Sequence, residues 1–178
     1  MKRWWALLAL LALAFTSCAR GDDQGSQTGA PTGKPVVVGF VNVEGAPVAS
    51  IPALRVASEA ARNYINAERG GLNGRPVEFH VCLTNGSPES STACANQMVE
   101  QKVVAVLGGT DLGSAASLPI LTKAGIPYVG MTPLLPSDFT TEGAFTLDPG
   151  GLGLAAHAAY AVDELKADRV SVLHDDSP

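Results

Sequence analysis

The chain has 178 residues, 46% of them hydrophobic and 16% charged, with a formal net charge of −5. That balance fits a globular protein and excludes an intrinsically disordered one. A mildly acidic chain also lacks the basic face that nucleic acid requires, so nucleic acid is not an expected partner.

The first residues read as an export signal. Met1-Lys2-Arg3 is positive, and Trp4 to Phe15 is an unbroken apolar run. A membrane span needs about 20 residues, so this shorter run suits a signal-peptide core. It closes on Phe15-Thr16-Ser17-Cys18, which resembles the bacterial lipobox with Phe15 in place of the usual Leu. The resemblance implies that residues 1–17 are a lipoprotein signal peptide and that Cys18 becomes the lipidated N-terminus. An ordinary cleaved signal peptide and a non-lipidated anchor are the alternatives. Residues 18–35 are rich in Gly, Ser, Thr, Gln and Pro and read as a flexible tether. Random-coil scaling gives such a tether an average span of roughly 20–25 Å, enough to hold a folded body off a membrane. Arg20-Gly21-Asp22 within it is a tripeptide that some adhesion receptors read; in a low-complexity tether the reading adopted is chance.

After the tether, apolar runs alternate with helical patterns. Val36 to Asn42 is a first strand, and Val43 to Ser50 a loop carrying Glu44. Pro52 to Arg69 has Leu54, Ala57, Ala61, Tyr64 and Ile65 at helical spacing, with Arg55 and Glu59 four apart. Gly70-Gly71 stops that helix, and Asn73-Gly74 marks a turn. Pro76 to Leu83 is a second strand. His80 within it reads as a packed or edge histidine, because no cluster stands at metal-ligand spacing. Ser87, Pro88 and Glu89 open a helix running to about Gln101.

Val103 to Pro133 is the organising unit. Val103 to Leu107 suits a parallel strand covered on both faces, and Gly108-Gly109 follows it. Leu112 to Ala124 is helical, with Gly125 at the left-handed cap, and Ile126 to Val129 is a second buried strand. Ligands of open α/β sheets bind beyond the carboxyl ends of the strands. Thr110, Asp111 and Ser114 follow the first of these strands and Thr132 the second, so hydroxyls and helix N–H groups are expected at one rim. Such a rim suits an anion or carboxylate; ordinary turn and cap roles are the alternative. Pro133 to Gly143 reads as a long loop, Ala144 to Leu147 as a strand, Leu152 to Lys166 as a helix and Arg169 to Leu173 as a strand. The alternation predicts an α/β fold with a doubly wound, mostly parallel sheet.

With Cys18 assigned to lipid, Cys82 and Cys94 remain. In an oxidising compartment an even remainder suggests a disulfide, and a helix folding back along its strand brings the two within reach. Two buried free thiols are the alternative.

The segments VVVGFVNVEG, AERGGLNGRPVEF, CANQMVEQKVVAVLGG, AGIPYVG and DRVSVLHDD, in this order behind a lipobox, resemble the type I periplasmic binding proteins of the leucine/isoleucine/valine-binding kind. The likeness covers Val36 to Asp175. It implies the first lobe of a two-lobed fold over residues 36–148, the start of a second lobe over 149–178, and a truncated chain. It implies an extracytoplasmic, lipid-anchored substrate-binding component of an ABC importer. Such a protein captures a small polar solute, an amino acid, amide or relative, between its lobes. The partners are the solute, a membrane permease and the membrane itself, with no cofactor and no metal. By motif, ligand residues fall at Thr110, Asp111, Ser114 and Thr132, and Glu44 in the first loop faces either a cationic group or solvent. Met131-Thr132-Pro133-Leu134-Leu135 replaces the family's run of small residues.

A ligand-sensing receptor domain shares the implied fold and is one alternative. A dinucleotide-dependent enzyme is another, because Gly151-x-Gly153-x-x-Ala156 opens a helix and Asp175 follows about 20 residues on. No G-x-S-x-G elbow supports a hydrolase, and the reading adopted is non-enzymatic.

Overall fold

The computed structural model describes residues 29–47 and 49–171. Five strands form one sheet in the order β2-β1-β3-β4-β5, every neighbouring pair parallel. They are β1 (Val36–Val43), β2 (Val77–Thr84), β3 (Val106–Gly108), β4 (Tyr128–Val129) and β5 (Ala144–Phe145). The helices are α1 (Pro52–Glu68), α2 (Pro88–Glu100), α3 (Ser114–Lys123), α4 (Pro136–Thr140) and α5 (Leu152–Asp163).

Alternation along β1 assigns the helices to faces. Phe40 stacks on Phe79 of β2 with ring centroids 6.1 Å apart, and Arg62 of α1 lies 5.6 Å above the Phe79 ring. The adjacent Gly39 points the other way, where a Cβ would run into Met98 of α2. Helices therefore cover both faces, and the sheet is doubly wound. The core sits on the α2–α3 side, where Val41, Met98, Val106, Leu118, Leu121, Tyr128 and Met131 are all nearly inaccessible. Gly108 is required there by space: a Cβ would come within 2.6 Å of the Tyr128 ring and the Met131 side chain. Helix α1 has no buried residue and leaves Val56 and Tyr64 more than half exposed.

Local chemistry sets the ends. Ser87 Oγ accepts the Ser90 amide at 3.2 Å to start α2, with Pro88 in the first turn. Gly125, at φ 68°, ends α3 in the left-handed region as expected. Two strands begin later than their apolar runs predict. The Val103 amide is bonded to Met98 O and so closes α2, and the Ile126 amide is bonded to Leu121 O and closes α3. Each apolar run thus begins as a helix terminus and becomes a strand only at Val106 or Tyr128. The expected loop from Pro133 to Gly143 contains α4, begun by Pro136. Strand β5 stops at Phe145 rather than Leu147, and α5 stops at Asp163 rather than Lys166. Residues 169–171 form no strand, and the rest of that expected strand lies outside the described residues. The last part of the expected tether is pinned: Arg75 donates to Lys34 O at 2.7 Å and Pro35 O at 3.1 Å, and the Gly33 amide donates to Gly74 O.

Cys82 of β2 and Cys94 of α2 are disulfide-bonded, with their Cα atoms 5.6 Å apart. The bond ties an edge strand to the helix that returns over it. We expect thiol labelling of the denatured, unreduced protein to find neither cysteine free. Replacing both with Ala should lower unfolding stability by about 3 kcal/mol, the chain-entropy value for so short a loop. Two labelled thiols would refute the pairing.

Candidate functional site at the carboxyl edge of the sheet

Five parallel strands place all their carboxyl ends on one edge, where parallel α/β sheets bind ligands. The loops on this edge carry Glu44 after β1, Thr110, Asp111 and Ser114 after β3, and Thr132 after β4. The backbone knits these loops together. The Val43 amide donates to Thr110 O at 2.8 Å, Glu44 N to Thr84 O at 3.0 Å, and Thr132 N to Gly109 O at 3.3 Å.

The predicted residues divide into two layers. Glu44 and Thr132 keep part of their surface, and Thr110 is 6% exposed. Asp111 and Ser114 lie beneath them, at 2% and 0% exposure. Asp111 Oδ1 accepts from Ser91 Oγ at 2.5 Å and from the Gly113 amide at 3.1 Å, and Oδ2 accepts from Ser117 Oγ at 2.8 Å. The carboxylate sits at the start of α3, where helix partial charge favours an anion. The chain's own anion therefore occupies that N-terminus. Ser114 Oγ donates to Asp138 Oδ1 at 2.6 Å, and Asp138 Oδ2 accepts the Leu134 and Leu135 amides, each at 2.8 Å. Asp138 thereby fastens the loop that bears Thr132 to the first residue of α3.

Glu44 has a partner within the chain. Arg55 of α1 grips its carboxylate with both sides of the guanidinium fork, Nε to Oε1 at 2.9 Å and the second nitrogen to Oε2 at 3.2 Å. Arg55 also reaches Glu59 at 3.4 Å. The Arg55 hydrogen bond holds the Glu44 carboxyl below the usual range, against the opposing effect of burial, with Asn42 helping. The Arg55 guanidinium is held correspondingly more firmly protonated by Glu44. Deeper in, the Tyr128 hydroxyl is buried without a partner, as are Thr84 Oγ1 and His80 Nε2. Burial pushes the Tyr128 phenol well up, and the Asp111 and Asp138 carboxylates add to this.

Asn42, Ser91, Ser117 and Asp138 were not legible as site-building residues. Asn42 had one usable signal, a polar residue closing an otherwise apolar strand. Asp138 stood in a stretch read as loop, and nothing in sequence marks two serines as ligands of a distant carboxylate.

An apolar recess of about 410 Å³ opens beside the β4 loop, lined by Leu134, Leu135, Pro136, Phe139, Thr140 and the start of α5. A recess of similar size, about 420 Å³, lies at the opposite edge around Ile126, Glu142 and Phe145. Size alone does not select between them; the strand direction does. No group of three or more potential ligand side chains stands together to hold a metal among the described residues. Cys18 and Asp175 lie outside the described residues.

A family model described as periplasmic binding protein matches residues 35–178. Among solved structures, the chain is similar to the branched-chain amino acid transporter substrate-binding protein LivJ from Streptococcus pneumoniae, in complex with isoleucine. The identity is 22% and the TM-score 0.63, over 75% of this chain and 39% of that one. It is also similar to a possible leucine/isoleucine/valine-binding protein from Rhodopirellula baltica, at 15% identity and TM-score 0.65, over 76% and 37% of the two chains. An ABC transporter substrate-binding protein from Desulfitobacterium hafniense matches at 23% and 0.60, over 74% and 39%. The chain thus spans about two fifths of the length of these structures. No curated protein matches it.

The Glu44–Arg55 pair makes a pH-dependent prediction. Because the folded Glu44 carboxyl titrates below its unfolded value, the pair contributes stability above the unfolded pKa. That contribution is lost as pH falls through the folded pKa. Both side chains are partly exposed, so solvent screening keeps it small. Arg55→Gln should move the Glu44 midpoint upward in a carbon-detected NMR titration. An unmoved midpoint would show that the fork does not hold the carboxylate in solution.

Proposed function

Because the chain belongs to the periplasmic binding protein family, we propose that it is the substrate-binding component of an ABC importer, capturing a small polar solute such as an amino acid or amide. Its work is binding rather than catalysis, and it is done outside the cytoplasm. The observation that carries the reading is the carboxyl edge of the parallel sheet, where the loops bearing Glu44, Thr110 and Thr132 are fastened to one another. Hydroxyl and backbone groups there replace the water of a bound solute, while Asp111 and Ser114 support them from below. The membrane permease is the partner this role requires.

The same proposal extends to organisation. Residues 36–148 form the first lobe and 149–178 begin the second. A neutral hydrogen bond contributes only about 0.5–1.5 kcal/mol net, whereas micromolar affinity requires roughly 8 kcal/mol. A single edge does not supply this, so a second lobe closing over the solute must add contacts and exclude water. The export signal and Cys18 support a lipid anchor, with the residues after Cys18 as its tether up to the pinned stretch at residues 33–35.

Calorimetry of the full-length gene product with leucine, isoleucine, valine and their amides tests capture. At least one should bind, and Thr132→Ala should weaken binding about tenfold, the equivalent of about 1.4 kcal/mol. The absence of heat with every solute would remove the reading, and full affinity in the variant would move the site. For the anchor, Cys18→Ala should shift the mature protein from the membrane to the soluble fraction and remove the mass of the acyl chains. Identical fractionation and mass for both proteins would rule out lipidation.

A further inference from the structure

We propose that Asn42 is the positioning residue of the carboxyl edge, holding Glu44 and Thr110 in fixed relation across two loops; this rests on the capture reading above. Asn42 lies near the end of β1 and is fully buried. Its Oδ1 accepts the Thr110 amide at 3.2 Å. Its Nδ2 donates to Ile51 O at 2.7 Å and to Glu44 Oε1 at 3.3 Å. One side chain therefore binds the start of the loop after β1, the end of that loop and the start of the loop after β3.

The chemistry of the position is specific. An amide offers donor and acceptor together, and its orientation here is dictated: the Thr110 N–H needs the oxygen, and the Ile51 carbonyl needs the nitrogen. Aspartate would lose both donated bonds and set a second carboxylate against Glu44. Alanine would leave the Thr110 amide and the Ile51 carbonyl without these partners, at a cost typical of unpaired buried groups. Glu44 is thus oriented from two directions, by the Arg55 fork and by Asn42 beside it.

Gly109 carries an independent mark of the same role. A Cβ built on it would collide with Asn42 Oδ1, Cγ and Cβ. Gly109 does not lie in the left-handed region, so room rather than backbone conformation is what glycine supplies there. The strand end after β3 is shaped around the Asn42 amide.

The test uses the full-length gene product and two readings that need no ligand: the Glu44 carboxyl midpoint by carbon-detected NMR, and hydrogen exchange at the Thr110 amide. In Asn42→Ala the midpoint should rise and Thr110 exchange should accelerate about tenfold or more, as for a buried amide that has lost its acceptor. Gly109→Ala, which keeps Asn42 but displaces it, should move both readings in the same direction, and it decides the matter if Asn42→Ala does not fold. Affinity for L-isoleucine, the probe solute, should fall about tenfold in either variant, the size expected for one misplaced hydrogen-bonding group. Unchanged midpoint and exchange in a folded variant overturn the proposal, and so does undiminished isoleucine affinity in a variant that has moved both readings. A wild-type protein that ignores isoleucine counts against that solute and the capture reading, while the two NMR readings still decide the role of Asn42.

Discussion

The carboxylate of Asp111 is the joint on which this half of the molecule depends. It is nearly inaccessible, and among its described partners no cation neutralises it. Burying a charge without a counter-ion is costly unless hydrogen bonds replace its water. Here Ser91 from α2, Ser117 from α3 and the Gly113 amide supply them, and the start of α3 adds its partial positive charge. The two helices that cover one face of the sheet are thereby held at a fixed spacing by a single anion. Gly113 has no side chain where Ser91 and the Ser87 carbonyl crowd in, so the approach is close as well as polar.

This joint shapes what the edge above it can do. A helix N-terminus is an attractive place for a ligand carboxylate, yet α3 already holds one of its own. Asp138 plays the matching part for the loop after β4, gathering two amides and the Ser114 hydroxyl. Under the proposed capture, the groups left for a solute are those of Glu44 and Thr132, with Thr110 just beneath the surface, carried on loops whose bases are immobilised by buried polar bonds. Separating a rigid support from a partly exposed layer is a general way to hold weak individual contacts in useful geometry. The partial burial of Glu44, and its grip by Arg55, leave it as a constrained acceptor rather than a free charge.

The fold was largely legible from pattern. The β-branched runs at Val36 and Val103, the cap at Ser87 and the glycine at 125 each carry local physics that holds in any context, and together they dictate parallel strands with helices between. The strand beginnings were not legible, because Val103 and Ile126 are apolar whether they finish a helix or start a strand. Only the amide partner, Met98 O or Leu121 O, distinguishes the two. Helix α4 was hidden for a different reason: five residues have almost no periodicity, and the Asp138 bonds at its start join residues that no local pattern pairs.

For the site, residue type and chain order determined which loops share an edge, while the strand order that makes them neighbours came from the fold. Parallel strands joined by helices put Glu44, Thr110, Asp111, Ser114 and Thr132 on one edge wherever the packing settles. Sequence also determined that cysteines 82 and 94 fall on a strand and the helix after it. Which of the edge residues face outward was decided only by tertiary structure. Asp111 and Ser114 turn inward because Ser91, Ser117 and Asp138, up to 24 positions away in sequence, offer them hydrogen bonds in place of water. Asn42 gains its place the same way, from an amide 68 positions away. Hydrogen bonds between distant segments exist only after the chain has folded, and no local pattern records them.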